Sequence, residues 1–183
     1  PYRSLLMGGF RTSFRDQPNQ VIPTAWVQLA QERWTNDIPE EVPMCSMGVD
    51  CSGGGTDPMV ISYRYDGWFG PLIEISAKEI PMERSGAYCA GQVLMYRRDG
   101  SDVVVDMGGG YGGPIFEHLK ANAIPVKGFK GAEATTRRTI DGKLKFTNTR
   151  SAAYWAMREA LDPGQPGGSP ISLPPSSKLL ADL

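Results

Sequence analysis

The chain has 183 residues, 40% apolar and 21% charged, enough for one domain with a core of its own. Its net charge of −1 and pI near 5.9 exclude a globally basic nucleic-acid binder, so any DNA contact must be a local patch. Cys45, Cys51 and Cys89 are odd in number and lack CxxC spacing, which excludes a disulfide framework and a zinc site.

The thiols read as reduced. No apolar run nears the roughly 18 residues of a membrane span, and no signal peptide opens the chain, so a cytoplasmic protein is expected. Residues 1–22 have no clear period; Leu5-Leu6-Met7 before Gly8-Gly9-Phe10 allows a short strand or an extended arm. Thr24 is placed to cap a helix on which Trp26, Leu29, Ala30 and Trp34 recur at helical spacing. Residues 1–40 are read as a connector and 41–183 as the main domain.

From residue 44 the pattern becomes regular. Strands are expected at 44–50, 59–65 and 71–77, with Asp66-Gly67 as a turn after the second, which makes an antiparallel meander. A helix from Ser85 follows, with Ala87, Ala90, Gly91 and Leu94 on one face and Cys89, Val93 and Tyr96 beside it. The fourth strand, 102–106, carries Val103-Val104-Val105 without polar alternation, which predicts cover on both faces. Gly113-Pro114 opens the next helix, and a short fifth strand is expected near 126–129. Asp141-Gly142 between two strand-like runs predicts a hairpin, and 149–161 a helix. Gly- and Pro-rich loop follows at 162–170, then the start of a helix near Lys178. The order βββαβαβ is that of a ribonuclease H-like α/β fold: a mixed five-stranded sheet, order 3-2-1-4-5, flanked by helices, with an added basic β-hairpin.

Two stretches share one design. Met47-Gly48-Val49-Asp50 leads into Gly53-Gly54-Gly55, and Val103-Val104-Val105-Asp106 leads into Gly108-Gly109-Gly110. Each apolar strand delivers one Asp to its end, followed by backbone without side chains. On neighbouring strands the two carboxylates would suit a hard divalent cation, which takes oxygen ligands together with substrate phosphate. With two ions, one activates water and the other stabilises the leaving oxygen of a phosphodiester. The competing reading is that each Asp only starts a turn. For either alone that reading wins; for the pair the metal site is favoured.

Residues 127–150 hold seven Lys or Arg against Glu133 and Asp141, a local balance of +5 within a chain of −1. Lys130, Arg137, Arg138, Lys143 and Lys145 are therefore candidate contacts to a DNA backbone. A solvated edge protected by its charges would look the same. The run Gly108 to Gly113 lacks the Lys-Ser/Thr of a P-loop. His118 reads as a surface residue, the four Trp as core or interface anchors, and the cysteines as packing groups.

In its motifs the chain resembles the C-terminal nuclease domain of the large terminase subunit of tailed bacteriophages and prophages. Four stretches carry the likeness in the family's order: Gln20 to Pro23 with Trp26-Val27 and Arg33-Trp34; Met47 to Asp50 with Gly54 to Asp57; Val104 to Asp106 with Gly108 and Gly110; and Asn148 to Ala152 with Tyr154-Trp155 and Arg158-Glu159. The resemblance implies a ribonuclease H-like endonuclease that uses two Mg2+ or Mn2+ ions to cut concatemeric double-stranded DNA during viral genome packaging in the bacterial cytoplasm. It makes Asp50 and Asp106 metal ligands, with Asp57 as an acid beside the first. It implies a packaging ATPase domain, a small terminase subunit and a portal as partners, and no membrane. The family's third carboxylate comes from a later helix than Leu180-Ala181-Asp182-Leu183, so a fragment lacking one ligand, weakly active or inactive alone, is expected. Two other readings stay open: a DNA-clamping or motor-docking module of the same fold without chemistry, and another ribonuclease H-like nuclease such as a junction resolvase.

Overall fold

The computed structural model describes residues 16, 18, 20–51 and 57–183. The early Leu5–Phe10 stretch and the glycine run at 53–55 lie outside the described residues. Six strands form one mixed sheet: β1 (Ser46–Asp50), β2 (Met59–Tyr65), β3 (Trp68–Phe69), β4 (Ile73–Ile75), β5 (Asp102–Asp106) and β6 (Val126–Phe129). The order is β3-β2-β1-β5-β6, with β4 also on β2. β2 runs antiparallel to β1, β3 and β4, whereas β1, β5 and β6 are parallel. The expected third strand is β4, so the 3-2-1-4-5 order holds. The additional strand β3 arises because Asp66-Gly67 turns the chain tightly enough for Tyr65 to pair with Trp68.

Alternation along the central strands sorts their side chains between two faces. Met47, Val49, Met59, Ile61, Val103 and Val105 are buried beneath α2 (Ser85–Tyr96) and α3 (Gly112–Ala121). Cys89, Ala90 and Val93 of α2 and Ile115 and Leu119 of α3 complete this core. The inward face of α2 is thus Gly86-Cys89-Ala90-Val93, and Leu94, expected on the apolar face, is 40% exposed. The expected double cover of β5 does not hold either. Val104 points to the opposite face and lines an open recess, because no helix of the α2–α3 layer reaches that side.

A second core lies beyond the sheet edge. Ile22, Val27 and Ala30, on and just before α1 (Thr24–Glu32), pack against Leu161 of α4 (Thr149–Leu161) and against Ile171 and Leu173. Leu179, Leu180 and Leu183, on and after α5 (Ser177–Asp182), close it. Thr24 stands inside α1 rather than capping it; Pro23 is the N-cap, and the Thr24 N–H donates to Asp16 Oδ1 at 3.0 Å. The Arg158 guanidinium lies 4.8 Å from the Trp26 ring and 5.2 Å from the Trp155 ring, and donates to the Val21 carbonyl. The two cores are tied together through the sheet edge. Ser172 exchanges backbone hydrogen bonds with Gly67 and Phe69, and the Trp34 ring stacks on Trp68 at 5.8 Å.

The predicted hairpin is short. The chain doubles back at Asp141-Gly142, with Gly142 at φ 73, and a single bridge joins Arg138 to Lys145. No described helix is long and apolar enough to cross a membrane.

Candidate active site

Asp50 and Asp106 are brought together by strand register. β1 and β5 run parallel with Val49 beside Val105, so the next residues on each strand are the two aspartates at adjacent ends. Both side chains fall on the face away from the α2–α3 core, in line with Gly48 and Val104 two residues earlier. Two connected depressions meet there. A recess of about 280 Å³ is lined by both aspartates with Gly48, Val60, Ser62 and Phe129, among others. A groove of about 530 Å³ then runs from the same carboxylates to α4, where Arg150, Ala153, Tyr154 and Met157 form its far wall. Gly48 keeps the recess open, since a Cβ there would stand 2.9 Å from Ser62 Oγ.

The glycines after Asp106 have distinct roles. Gly109 and Gly110 take positive φ (66° and 84°), which lets the chain turn sharply from β5 into α3. Gly112 brings α3 against the strand; a Cβ on it would stand 2.1 Å from the Asp106 carbonyl oxygen. The Asp106 side chain also organises its own turn, accepting the Gly108 N–H at 2.8 Å. The turn-forming role and a ligand role are therefore compatible, because a carboxylate has lone pairs to spare.

Partial burial, and then the Asp106 charge, push the Asp50 carboxyl above its usual range. The Cys51 N–H pulls the other way, and Asp57 adds a smaller push upward. Asp57 is thus felt at Asp50, although it is exposed and lines neither depression. Two crowded carboxylates with hard oxygen donors fit a divalent cation, which would relieve their repulsion. Among the described residues no cluster of three or more His, Cys, Asp or Glu side chains could hold a metal ion, and Asp182 is exposed on α5. Burial, Cys89 and then the two aspartates push the Cys51 thiol up to about 12, which rules out a thiolate nucleophile beside the carboxylates. His118 is exposed on α3.

The basic residues expected to contact a DNA backbone lie apart from the carboxylates. Arg137 and Arg138 border a separate cavity of about 300 Å³ between the Asp141-Gly142 turn and Ala152, Ala156, Glu159 and Ala160 of α4. Residues 150, 153, 154 and 157 face the carboxylates, so the turn occupies a different side of the same helix. Lys130 pairs with Glu133 at 3.0 Å, Lys143 with Asp141 at 3.3 Å, and Arg138 donates to the Gly142 carbonyl. Lys145 is exposed. Among the described residues, the cation that lines the carboxylate groove is Arg150. Its signal was present in the helical spacing 150, 153, 154, 157 behind the Asn148 cap, whose Oδ1 accepts the Ser151 N–H at 2.8 Å.

No protein-family model and no curated protein sequence matches the chain. Among solved structures, it is similar to the nuclease domain of the large terminase subunit gp2 of bacterial virus Sf6. The TM-score is 0.60 at 17% identity, over 88% of this chain and 77% of that one. A variant of that domain solved with calcium matches equally, at TM-score 0.60 and 17% identity over 88% and 78% of the two chains. Its manganese form gives 0.56 at 16% identity over 88% and 77%. The sheet order, the parallel β1-β5-β6 half and these likenesses agree: the chain has the ribonuclease H-like fold of the nuclease domain of phage large terminase subunits.

Proposed function

We propose that the chain is a metal-dependent DNA endonuclease domain of a phage or prophage packaging terminase, acting on concatemeric double-stranded DNA. The observation that carries this reading is the parallel register of β1 and β5, which sets Asp50 and Asp106 side by side at the mouth of an open groove. On this reading Asp50 and Asp106 hold two Mg2+ or Mn2+ ions, with Asp57 adding negative charge nearby. Bound ions of this kind lower the pKa of water and draw charge from the phosphodiester oxygens. The two aspartates stay ionised once bound, and Gly48 and Ser62 leave room for a phosphate to approach them. Gly108, where a Cβ would stand 3.2 Å from Asp106 Oδ1, keeps a side chain off that carboxylate. The basic turn, with Arg137, Arg138, Lys143, Lys145 and nearby Lys130, would hold flanking duplex away from the reacting phosphate. Such a domain would work in the host cytoplasm with a packaging ATPase domain, which residues 1–40 would join to it, and with a small terminase subunit and a portal.

Plasmid cleavage in Mn2+ and in Mg2+ tests the reading, with Asp50→Ala and Asp106→Ala as paired variants. Cleavage that both substitutions abolish supports the nuclease. The lack of a third acidic ligand among the described residues favours one other reading, a DNA-clamping module of the same fold. Binding of DNA without cleavage in either metal, unchanged by Asp50→Ala, would select that module instead.

A further inference from the structure

Arg150 is the one Lys or Arg lining the carboxylate groove among the described residues. Its guanidinium enters no ion pair with Asp50 or Asp106 among those residues, although it shares their groove. Its direction is built in. The Arg150 N–H donates to the Gly131 carbonyl at 2.9 Å, and Gly131 is buried beneath the side chain. A Cβ on Gly131 would stand 3.0 Å from Arg150 Nε and 3.3 Å from its Nη2. A glycine thus makes the bed on which this guanidinium lies at the wall of the groove. The neighbouring Thr149 N–H donates to the Glu133 carbonyl at 2.9 Å, which pins the start of α4 to the same 131–133 segment.

A planar cation that lines the same groove as two carboxylates without pairing with them has one evident use. It suits an anion lying between itself and the metal-binding pair, and a guanidinium matches two phosphate oxygens at once. We infer that Arg150 is a substrate-positioning residue that grips a DNA backbone phosphate adjacent to the one held at Asp50 and Asp106. The inference rests on the nuclease reading and adds to it the wall of the groove along which the strand lies. It also divides the labour among the cations: Arg150 sets register at the reacting phosphate, while the basic turn meets duplex on another side of α4.

The test is the salt dependence of binding to a labelled double-stranded 20-mer in Ca2+ buffer, compared among the unmodified chain, Arg150→Gln, Arg150→Lys, Gly131→Ala and Lys120→Gln. Lys120 is exposed on α3, on the opposite side of the sheet, and controls for loss of any one positive charge. Arg150→Gln should weaken binding about tenfold and lower the log–log salt slope by about 0.9, with an unchanged melting temperature. Arg150→Lys should keep the slope and recover part of the affinity, Gly131→Ala should fall between, and Lys120→Gln should match the unmodified chain. An Arg150→Gln variant with the unmodified slope and affinity, or with losses no larger than those of Lys120→Gln, overturns the inference and leaves the nuclease reading standing. An unmodified chain that binds no DNA overturns both.

Discussion

Substituting Gly112 tests how the site is held. A Cβ at this position would stand 2.1 Å from the Asp106 carbonyl oxygen and 3.0 Å from Val105 Cγ1. Ordinary C···O contacts are no closer than about 3.3 Å, so in Gly112→Ala α3 must retreat from β5 by about 1 Å or the strand end must bend. The obstructing atom is backbone, and the next residue is tied down, since the Met107 N–H donates to the Phe129 carbonyl. Overpacking of this kind costs about 1–3 kcal/mol, and the upper end applies where no side chain can swing aside. For a chain of this size that lowers Tm by roughly 6–12 °C. Gly91 supplies the control: it is exposed in the interior of α2, and a methyl group added there would have no atom within 4 Å. Gly91→Ala should stabilise by about 0.5–1 kcal/mol through helix propensity alone. Thermal and urea melts of both variants measure the contrast. Equal stability of Gly112→Ala and Gly91→Ala would refute the claim that α3 is seated on the Asp106 backbone.

Arg158→Ala removes the ring contact from α4 to Trp26 of α1, the hydrogen bond to Val21 just before α1 and a ring contact to Trp155 within α4, and should cost about 1–3 kcal/mol in urea melts, with Arg158→Lys restoring less than half. In metal-free protein the raised Asp50 carboxyl contributes stability that is full below the ordinary carboxylate range and is lost as pH rises through its folded value. Asp50→Asn should therefore melt higher than the unmodified chain at neutral pH, converge with it in acid, and lose any Tm gain from added Mn2+. Alkylation at pH 8 should label exposed Cys45 first, while the Cys51 thiol, held at about 12, and buried Cys89 react only on unfolding; mass spectrometry of partially labelled protein reads the order.

Much of the site was legible because it is built from local signals. An apolar run ending in Asp and followed by glycine marks a strand end, and Met47 to Asp50 and Val103 to Asp106 each announce one. The crossover order βββαβαβ is that of a sheet in which those strands are parallel neighbours, and the observed register sets Asp50 beside Asp106. The placement of the cations was not legible, because charge along a chain carries no direction in space. Seven basic residues over 127–150 read as one patch. Yet α4 separates Arg137 and Arg138 on one side from Arg150 on another.

By itself, the sequence determined the main strands and helices and the placing of one carboxylate at the end of each of two strands, since these depend on periodicities of two and 3.6 residues and on turn chemistry within a few positions. Only the tertiary structure decided which side of the sheet stays open at Val104, which glycine is needed for close approach, and that Arg150 rather than the basic turn lines the groove with the aspartates. Each of those outcomes depends on how α3 and α4 dock against the sheet, and docking is a property of surfaces made from residues far apart in the chain.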